Sequence, residues 1–342
     1  MRVLIATDAW RPQINGVVRS LEHMAEEAPR FGAEVAFLTP ERFRSFPMPT
    51  YPEIRLSLAR PGAMARVLDE VRPSHIHIAT EGPIGLAMRL ACSRQGRPFT
   101  TSYHTRFPEY VAARTPIPES WSYKALLRFH QGACAMMVST PSLERELTGR
   151  GFRNIMRWSR GVDTSLFRPR NQRIPHAVPV FLYVGRVSVE KNLEAFLGLE
   201  LPGTKVVVGD GPSRAELEAK YPAVRFLGPL TGEDLAQVYA SADVFVFPSL
   251  TDTFGIVLIE ALASGLPIAA FPVTGPMDVV GSSGCGVLKW DLREAALEAL
   301  DIPKDRCRAY GETFTWQESA RQFFSNIETA HAARLPLLHQ AR

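Results

Sequence analysis

Along the first half of the chain, short β-branched runs alternate with longer segments whose apolar positions recur at helical spacing. RVLIAT reads as a strand and GVVRSLEHMAEEAPRFG as a helix closed by Gly32. EVAFLT, HIHIAT, PFTTSYH and AMMVST are further strand-like runs. Between them lie ARPGAMARVLDEVRP, GPIGLAMRLACSRQG, WSYKALLRFHQGA and PSLERELTGRG, each with the apolar stripe of an amphipathic helix. Strand and helix alternating at this pitch imply right-handed βαβ units and a largely parallel sheet.

The alternation then stops. RWSRGVDTSLFRPRNQRIPHAVP is polar and proline-rich, the composition of a linker. It restarts with PVFLYVG, KVVVGDG, VRFLG, DVFVFPS and PIAAF, each with a helical partner nearby. The pattern therefore predicts an α/β protein of two doubly wound domains, residues 1–168 and 169–315. A final amphipathic segment, 316–342, is long enough to pack back on the first domain. Ligands of open parallel sheets bind beyond the carboxyl ends of the strands, so the expected site is a cleft between the two domains.

Composition narrows the class. With 46% apolar and 22% charged residues in 342, the chain has the make-up of a folded protein with two cores. MRVLIATDAW carries no cleavage pattern of a signal peptide and reads better as a first buried strand. No stretch reaches the roughly 18 apolar residues of a membrane span. Cys92, Cys134, Cys285 and Cys307 lie far apart without CxxC spacing, as in buried thiols of a reducing cytoplasm. The net charge of +4 hides an asymmetry. Residues 1–168 hold 23 Lys+Arg against 15 Asp+Glu (+8), and residues 169–342 hold 16 against 20 (−4). A basic half suits an anionic partner, either a lipid surface or nucleic acid, though an arginine-rich proteome scatters such charges as well.

The chemistry clusters at predicted strand ends. In DAWRPQINGVVRSLEHM, Gly16 stands where a helix begins, so backbone N–H groups face any anion placed there; a plain tight turn explains it equally. The turn lacks a GxGxxG fingerprint, which argues against NAD binding. YVGRVSVEKNLEAF offers Arg186, Glu190 and Lys191 before a helix, with Arg and Lys spaced to reach a diphosphate or simply to lie in solvent. GDGP after the next strand is a turn that also starts a helix. In SLTDTFGIVLIEALASG two lone acids, Asp252 and Glu260, sit in an apolar context. Asp252 or Thr253 is placed to cap the helix, and Glu260 falls inside it, where an ion pair is the structural explanation. Taken together, acids flanking a helix N-terminus at Gly255 and Ile256 suit a nucleotide-sugar, with hydroxyls at both ends and a diphosphate between.

With FPSLTDTFGIVLIEALASGLP, YVGRVSVEKN, GDGP and NGVVRS on one chain, the sequence resembles the retaining GT-B glycosyltransferases of family 4 over nearly its whole length. SYHTRFPEY and SRGVDTSLFRP add likeness to sulfoquinovosyl-diacylglycerol synthases and nucleotide-sugar-dependent α-mannosyltransferases that act on lipids. The resemblance implies two Rossmann-like domains, with acceptor in the first and donor in the second. It places Arg186 and Lys191 on the donor diphosphate, Glu260 on the ribose and Asp252 on sugar hydroxyls. Backbone N–H groups at Phe254, Gly255, Ile256 and Val257 would meet phosphate or sugar. Gly16 would let the first-domain loop approach the phosphates, and His104 would lie at the reactive centre, orienting the sugar or stabilising developing charge. Most of the family carries Glu where this chain has Asp252, one methylene shorter, which puts the choice of sugar in question. In the family's usual account the acceptor hydroxyl attacks from the face the diphosphate leaves, and that phosphate takes its proton. No cofactor is then expected. The sequence shows no DxD motif or His/Cys/Asp cluster for a metal, so Arg186, Lys191 and helix N-termini would neutralise the leaving group.

The acceptor side is read from the basic half. PERFRSFPMPTYPEIRLSLARPGAMARV mixes Arg42, Arg44, Arg55, Arg60 and Arg66 with Phe43, Phe46, Met48 and Tyr51. SWSYKALLRFHQ puts Trp121, Lys124 and Arg128 at helical spacing. Both suit peripheral docking on an anionic membrane, and both also fit solvated loops with core-facing aromatics. The expectation is a cytoplasmic enzyme on the inner face of the membrane, moving a hexose from UDP-hexose to a lipid such as diacylglycerol. GDP-mannose with a glycolipid or soluble saccharide acceptor is the alternative. A sugar-nucleotide epimerase is a remote rival. A nucleic-acid binder is disfavoured, since no helix-turn-helix, RRM or zinc pattern accompanies the charge.

Overall fold

The computed structural model describes all residues except 14, 49–50, 113–114, 171–177 and 341–342. The chain divides into two compact units, Met1–Ser159 with Trp316–Arg342, and Arg160–Thr315.

The first unit is built on β1 (Arg2–Ala6), β2 (Glu34–Leu38), β5 (His75–Ile78), β6 (Thr100–Ser102), β7 (Ala135–Val138) and β8 (Ile155–Arg157), with β3 (Ser45–Met48) and β4 (Tyr51–Ser57) forming a separate antiparallel ribbon. The sheet order is β2-β1-β5-β6-β7-β8, and every pairing is parallel. Connections leave β1 toward β2 and then return to β5 on its other side. That reversal makes a switch point between the carboxyl ends of β1 and β5.

The second unit has β9 (Val180–Val184), β10 (Thr204–Val208), β11 (Arg225–Gly228), β12 (Val244–Phe247), β13 (Ile268–Ala270) and β14 (Gly286–Leu288). Their order, β11-β10-β9-β12-β13-β14, is that of a dinucleotide-fold sheet, with its switch point between β9 and β12. Both faces are buried, as parallel sheets require. Leu182, Val184, Val206, Val208, Phe245 and Phe247 join one apolar layer, while Phe181, Tyr183, Val207, Val244 and Val246 join the other. The alternation is the period of two of an extended chain.

The boundary expected at residue 168 moves back to 159. The polar stretch after Ser159 is held by the second unit: Val162 N donates to Phe314 O at 3.0 Å, and Arg308 donates to the carbonyls of Thr164 and Phe167. Phe167 is buried in that unit's core. A polar, proline-rich composition did not make these residues a free linker, because Arg308 supplies donors for their backbone carbonyls. The helix Trp316–Gln340 belongs to the first unit. Its Ser319 accepts from Trp158 Nε1 at 3.0 Å, its Phe323 packs on His77 and Trp158, and its Trp316 stacks on His23.

Candidate functional site

In the second unit the two loops flanking the switch point are tied together. After β9 the chain turns at Gly185 (φ +153°) into a 3-10 turn, Val189–Lys191, that ends on Asn192 in the left-handed region. The GDGP turn braces it from below. A Cβ on Gly209 would lie 1.9 Å from Gly185 O, and one on Gly211 would lie 2.3 Å from Val187 O. Only glycine permits that approach. Val187 N donates to Asp210 O, and Ser213 N donates to Val187 O. The GDGP turn is therefore the support of the Arg186–Lys191 loop, a role its sequence did not disclose.

From the other side comes the loop after β12. Asn192 Nδ2 donates to Pro248 O (3.2 Å), Thr251 Oγ1 to Glu190 O (3.4 Å) and Lys191 Nζ to Asp252 Oδ1 (2.6 Å). Asp252 Oδ2 is buried and accepts no hydrogen bond, and the Oγ atoms of Ser188 and Ser249 are likewise buried without partners. The helix Ile256–Ala263 then starts from Gly255 (φ +81°) with no side-chain cap. This corrects the expected capping role of Asp252 or Thr253: the helix starts later, and the Asp252 carboxylate is spent on Lys191. The first N–H groups of a helix have no intrahelical acceptor, so those after Phe254, at Gly255, Ile256 and Val257, form a donor cluster at its N-terminus. Glu260 is buried one turn in and accepts from Tyr239 Oη at 3.0 Å. Arg186 sits at the start of the same loop, its carbonyl held by Tyr183 Oη at 2.9 Å. Arg186, Lys191, Asp252, Gly255 and Glu260 thus belong to two adjoining segments that follow the carboxyl ends of β9 and β12, at the switch point of the sheet.

In the first unit Gly16 opens the helix Gly16–Glu27, as expected of a strand–helix turn. Asn15 Oδ1 already accepts from Val17 N and Val18 N, both at 3.0 Å, so these two N–H groups are not left for an anion. His104 follows β6, partly exposed, with its ring edge-on to the buried Trp158 (5.5 Å, 71°).

Several polar residues escaped the sequence reading. Asp8, just after β1, accepts from Ile84 N, Gly85 N and Thr80 Oγ1. It caps the helix Pro83–Gln95 across the switch point. Burial raises its pKa from the ordinary value despite those bonds. Arg106 is buried between Glu109 (3.0 Å) and Glu146 (2.7 Å), and Tyr123 Oη donates to Glu109 at 2.8 Å. Burial works to raise the Glu146 carboxyl, but hydrogen bonds and charge from Arg106 and Arg150 hold it below its usual value. The sequence hint was slight, an Arg and a Glu three apart in TRFPE.

The proposed membrane contacts divide. Trp121 is 67% exposed on the helix Glu119–His130, and Lys124 and Arg128 are exposed on it too, opposite the buried Tyr123, Leu126 and Phe129. Arg44 is exposed; Arg42 is also exposed but lies 3.6 Å from Glu70. Arg55 is bonded to Ser45 across the ribbon. The side chains of Met48 and Tyr51 lie outside the described residues. Among the described residues no helix is long and apolar enough to cross a membrane.

Two family models match: Glycosyltransferase Family 4 over residues 14–166 and Glycosyl transferases group 1 over residues 178–302. A GDP-mannose-dependent alpha-mannosyltransferase of Mycobacterium tuberculosis is 31% identical, the match covering 84% of this chain and 83% of that one. The sulfoquinovosyl transferase SQD2 of Arabidopsis thaliana is also 31% identical over 78% of this chain, which spans 58% of that protein's length. Among solved structures, a sucrose-phosphate synthase from Thermosynechococcus elongatus shares the fold with a TM-score of 0.79 at 20% identity, covering 97% and 99% of the two chains. Matches across both units, with identity of 31% over most of the chain, leave one conclusion: the chain belongs to the GT-B glycosyltransferases of family 4 and transfers sugar from a nucleotide-sugar.

Proposed function

We propose that this glycosyltransferase moves a hexose, with retention, from UDP-hexose to a lipid hydroxyl such as that of diacylglycerol, without a metal ion. The observation that carries the donor half is the joining of Arg186, Lys191 and Asp252 with a helix N-terminus at the β9/β12 switch point. The donor diphosphate lies on Arg186, Lys191 and the N–H groups at Gly255, Ile256 and Val257. These fixed positive groups stabilise the charge that develops as the sugar C1–O bond to phosphate breaks. The acceptor hydroxyl forms the new C1–O bond on the same face, and its proton passes to the leaving phosphate. Glu260 receives the ribose hydroxyls, Asp252 the sugar hydroxyls, and His104 is assigned to orienting the sugar. The lipid half is supported by the exposed Trp121, Lys124 and Arg128 face, which suits peripheral attachment at the cytoplasmic surface of the membrane.

A second reading has GDP-mannose as donor. It is favoured by the relative matching 84% of this chain, whose name is that of a GDP-mannose-dependent enzyme. One experiment separates the two. Labelled UDP-glucose, UDP-galactose and GDP-mannose are offered in turn with diacylglycerol vesicles, and label in the organic-extractable phase is counted. Transfer from a UDP-hexose supports the first reading, and transfer from GDP-mannose alone replaces it by the second. Label reaching only water-soluble saccharides overturns the lipid acceptor.

A further inference from the structure

The lysine assigned to the donor diphosphate and the carboxylate assigned to the donor sugar are bound to each other, Lys191 Nζ to Asp252 Oδ1 at 2.6 Å. Each side chain is only 17% exposed, so the pair is largely shielded from water. We propose that this ion pair makes the enzyme discriminate between the intact nucleotide-sugar and the nucleoside diphosphate it releases. The inference rests on the donor site proposed above.

The geometry leaves the pair little freedom to separate. Asn192 to Pro248 and Thr251 to Glu190 fix the two backbones on either side of it. A diphosphate that reaches Lys191 therefore also comes close to a carboxylate. The like charges repel, and in a site shielded from water that repulsion is weakly screened. The ammonium has three donors and can serve phosphate and carboxylate together, but the phosphate still meets the Asp252 charge.

What differs between substrate and product is the hydroxyl groups. Asp252 Oδ2 is buried and accepts no hydrogen bond. The sugar of an intact donor brings hydroxyl donors to that oxygen, and these charge-assisted bonds offset the repulsion. The nucleoside diphosphate brings none, and its terminal phosphate carries an additional negative charge. Asp252 thus holds the donor while the sugar is attached and disfavours the diphosphate once the sugar has gone. Product release limits the turnover of many enzymes, so such an arrangement acts on the rate.

The test measures binding of UDP, UDP-glucose, GDP, GDP-mannose and inorganic pyrophosphate to the full chain by calorimetry, for the wild type and Asp252→Asn. Asparagine keeps the shape and removes the charge. The expected result is a nucleoside diphosphate bound roughly three- to tenfold more tightly by Asp252→Asn, the range a partly buried ion pair implies. The matching nucleotide-sugar is bound no more tightly than by the wild type, so the preference for intact donor narrows. In a Lys191→Gln background the same Asp252→Asn change has a smaller effect on the diphosphate, which closes a double-mutant cycle. Weaker or unchanged diphosphate binding by Asp252→Asn overturns the proposal, because the carboxylate then merely orders the lysine. Equal tightening of both ligands overturns it too. If the wild type binds neither nucleotide, the donor reading fails, and pyrophosphate still reports whether the carboxylate opposes a diphosphate at Lys191. Melting temperatures establish that the variants are folded, and Asp252→Ser replaces Asp252→Asn if that variant is not.

Discussion

Glu260 holds a place in the fold apart from the ligand role proposed for it. Its Oε2 takes the Tyr239 hydroxyl at 3.0 Å in a buried setting, so its removal takes away a buried hydrogen bond to a carboxylate. Glu260→Ala therefore costs about 1–3 kcal/mol of stability in addition to activity. Glu260→Gln separates the two effects, since it keeps the volume and an oxygen for Tyr239. Its transfer rate is expected to fall more than tenfold in kcat/KM, with a melting temperature within a few degrees of wild type; full activity would remove Glu260 from the donor site. Asp252→Ala loses transfer by the same reasoning. Both acids were picked out from sequence because charge in an apolar run needs an explanation. The partner of each lay beyond reach of local pattern: Lys191 is 61 positions from Asp252, and Tyr239 is 21 from Glu260. Without those contacts a helix cap is the local structural explanation for Asp252, and the helix start at Gly255 with no side-chain cap removes that explanation.

Elements were far more legible than their supports. Short β-branched apolar runs mark most of the parallel strands, and Gly32 closes its helix in the left-handed region as its position suggests. The β3–β4 ribbon carries no clear strand signal in the sequence, because Pro47 and Pro52 demote a strand reading. The bracing function of GDGP was also hidden, since a glycine pattern announces a turn but not what packs on it. Gly209→Ala tests that function. The added Cβ meets Gly185 O at 1.9 Å, and the backbone conformation at φ +135° alone costs roughly 1–3 kcal/mol. The variant is expected to lose nucleotide affinity together with stability, whereas Gly62→Ala, where a Cβ meets nothing within 4 Å, leaves nucleotide affinity intact. Calorimetry with nucleotide and thermal melts check both. The first unit offers a matching test in pH. Glu146 has a folded pKa below its unfolded value, so its pairing with Arg106 stabilises above the ordinary carboxylate range and is lost as pH falls through the folded pKa. Glu146→Gln lowers stability at pH 7 and flattens the acid side of the stability profile. Urea titrations between pH 7 and pH 3 measure this, and an unchanged profile would assign the acid sensitivity elsewhere.

At the scale of the whole molecule the informative quantity is the uneven charge, +8 over residues 1–168 against −4 over the remainder. Such an imbalance governs association rather than fold. A family 4 glycosyltransferase has no need of a nucleic-acid surface, and the first unit displays Lys124 and Arg128 beside an indole exposed at Trp121. The helix carrying them has already buried its apolar side through Tyr123, Leu126, Phe129 and His130, so Trp121 is not drawn inward by its own core. An indole with adjacent cations is the composition of an interfacial anchor. Basic groups near an anionic surface contribute about 1 kcal/mol each, so Lys124→Ala with Arg128→Ala lowers partitioning onto phosphatidylglycerol vesicles by roughly 30-fold. Trp121→Ala weakens binding to neutral and anionic vesicles alike, because it removes apolar area rather than charge. Wild-type binding to anionic vesicles falls as salt rises from 50 to 500 mM, and the double variant is less sensitive to that change. Sedimentation with vesicles of the two compositions reads all three effects. With water-soluble acceptors the variants keep wild-type turnover; with acceptor embedded in vesicles they lose it in proportion to lost binding. A double variant that partitions like the wild type would move the attachment surface to the ribbon, where Arg44 and Phe46 are exposed.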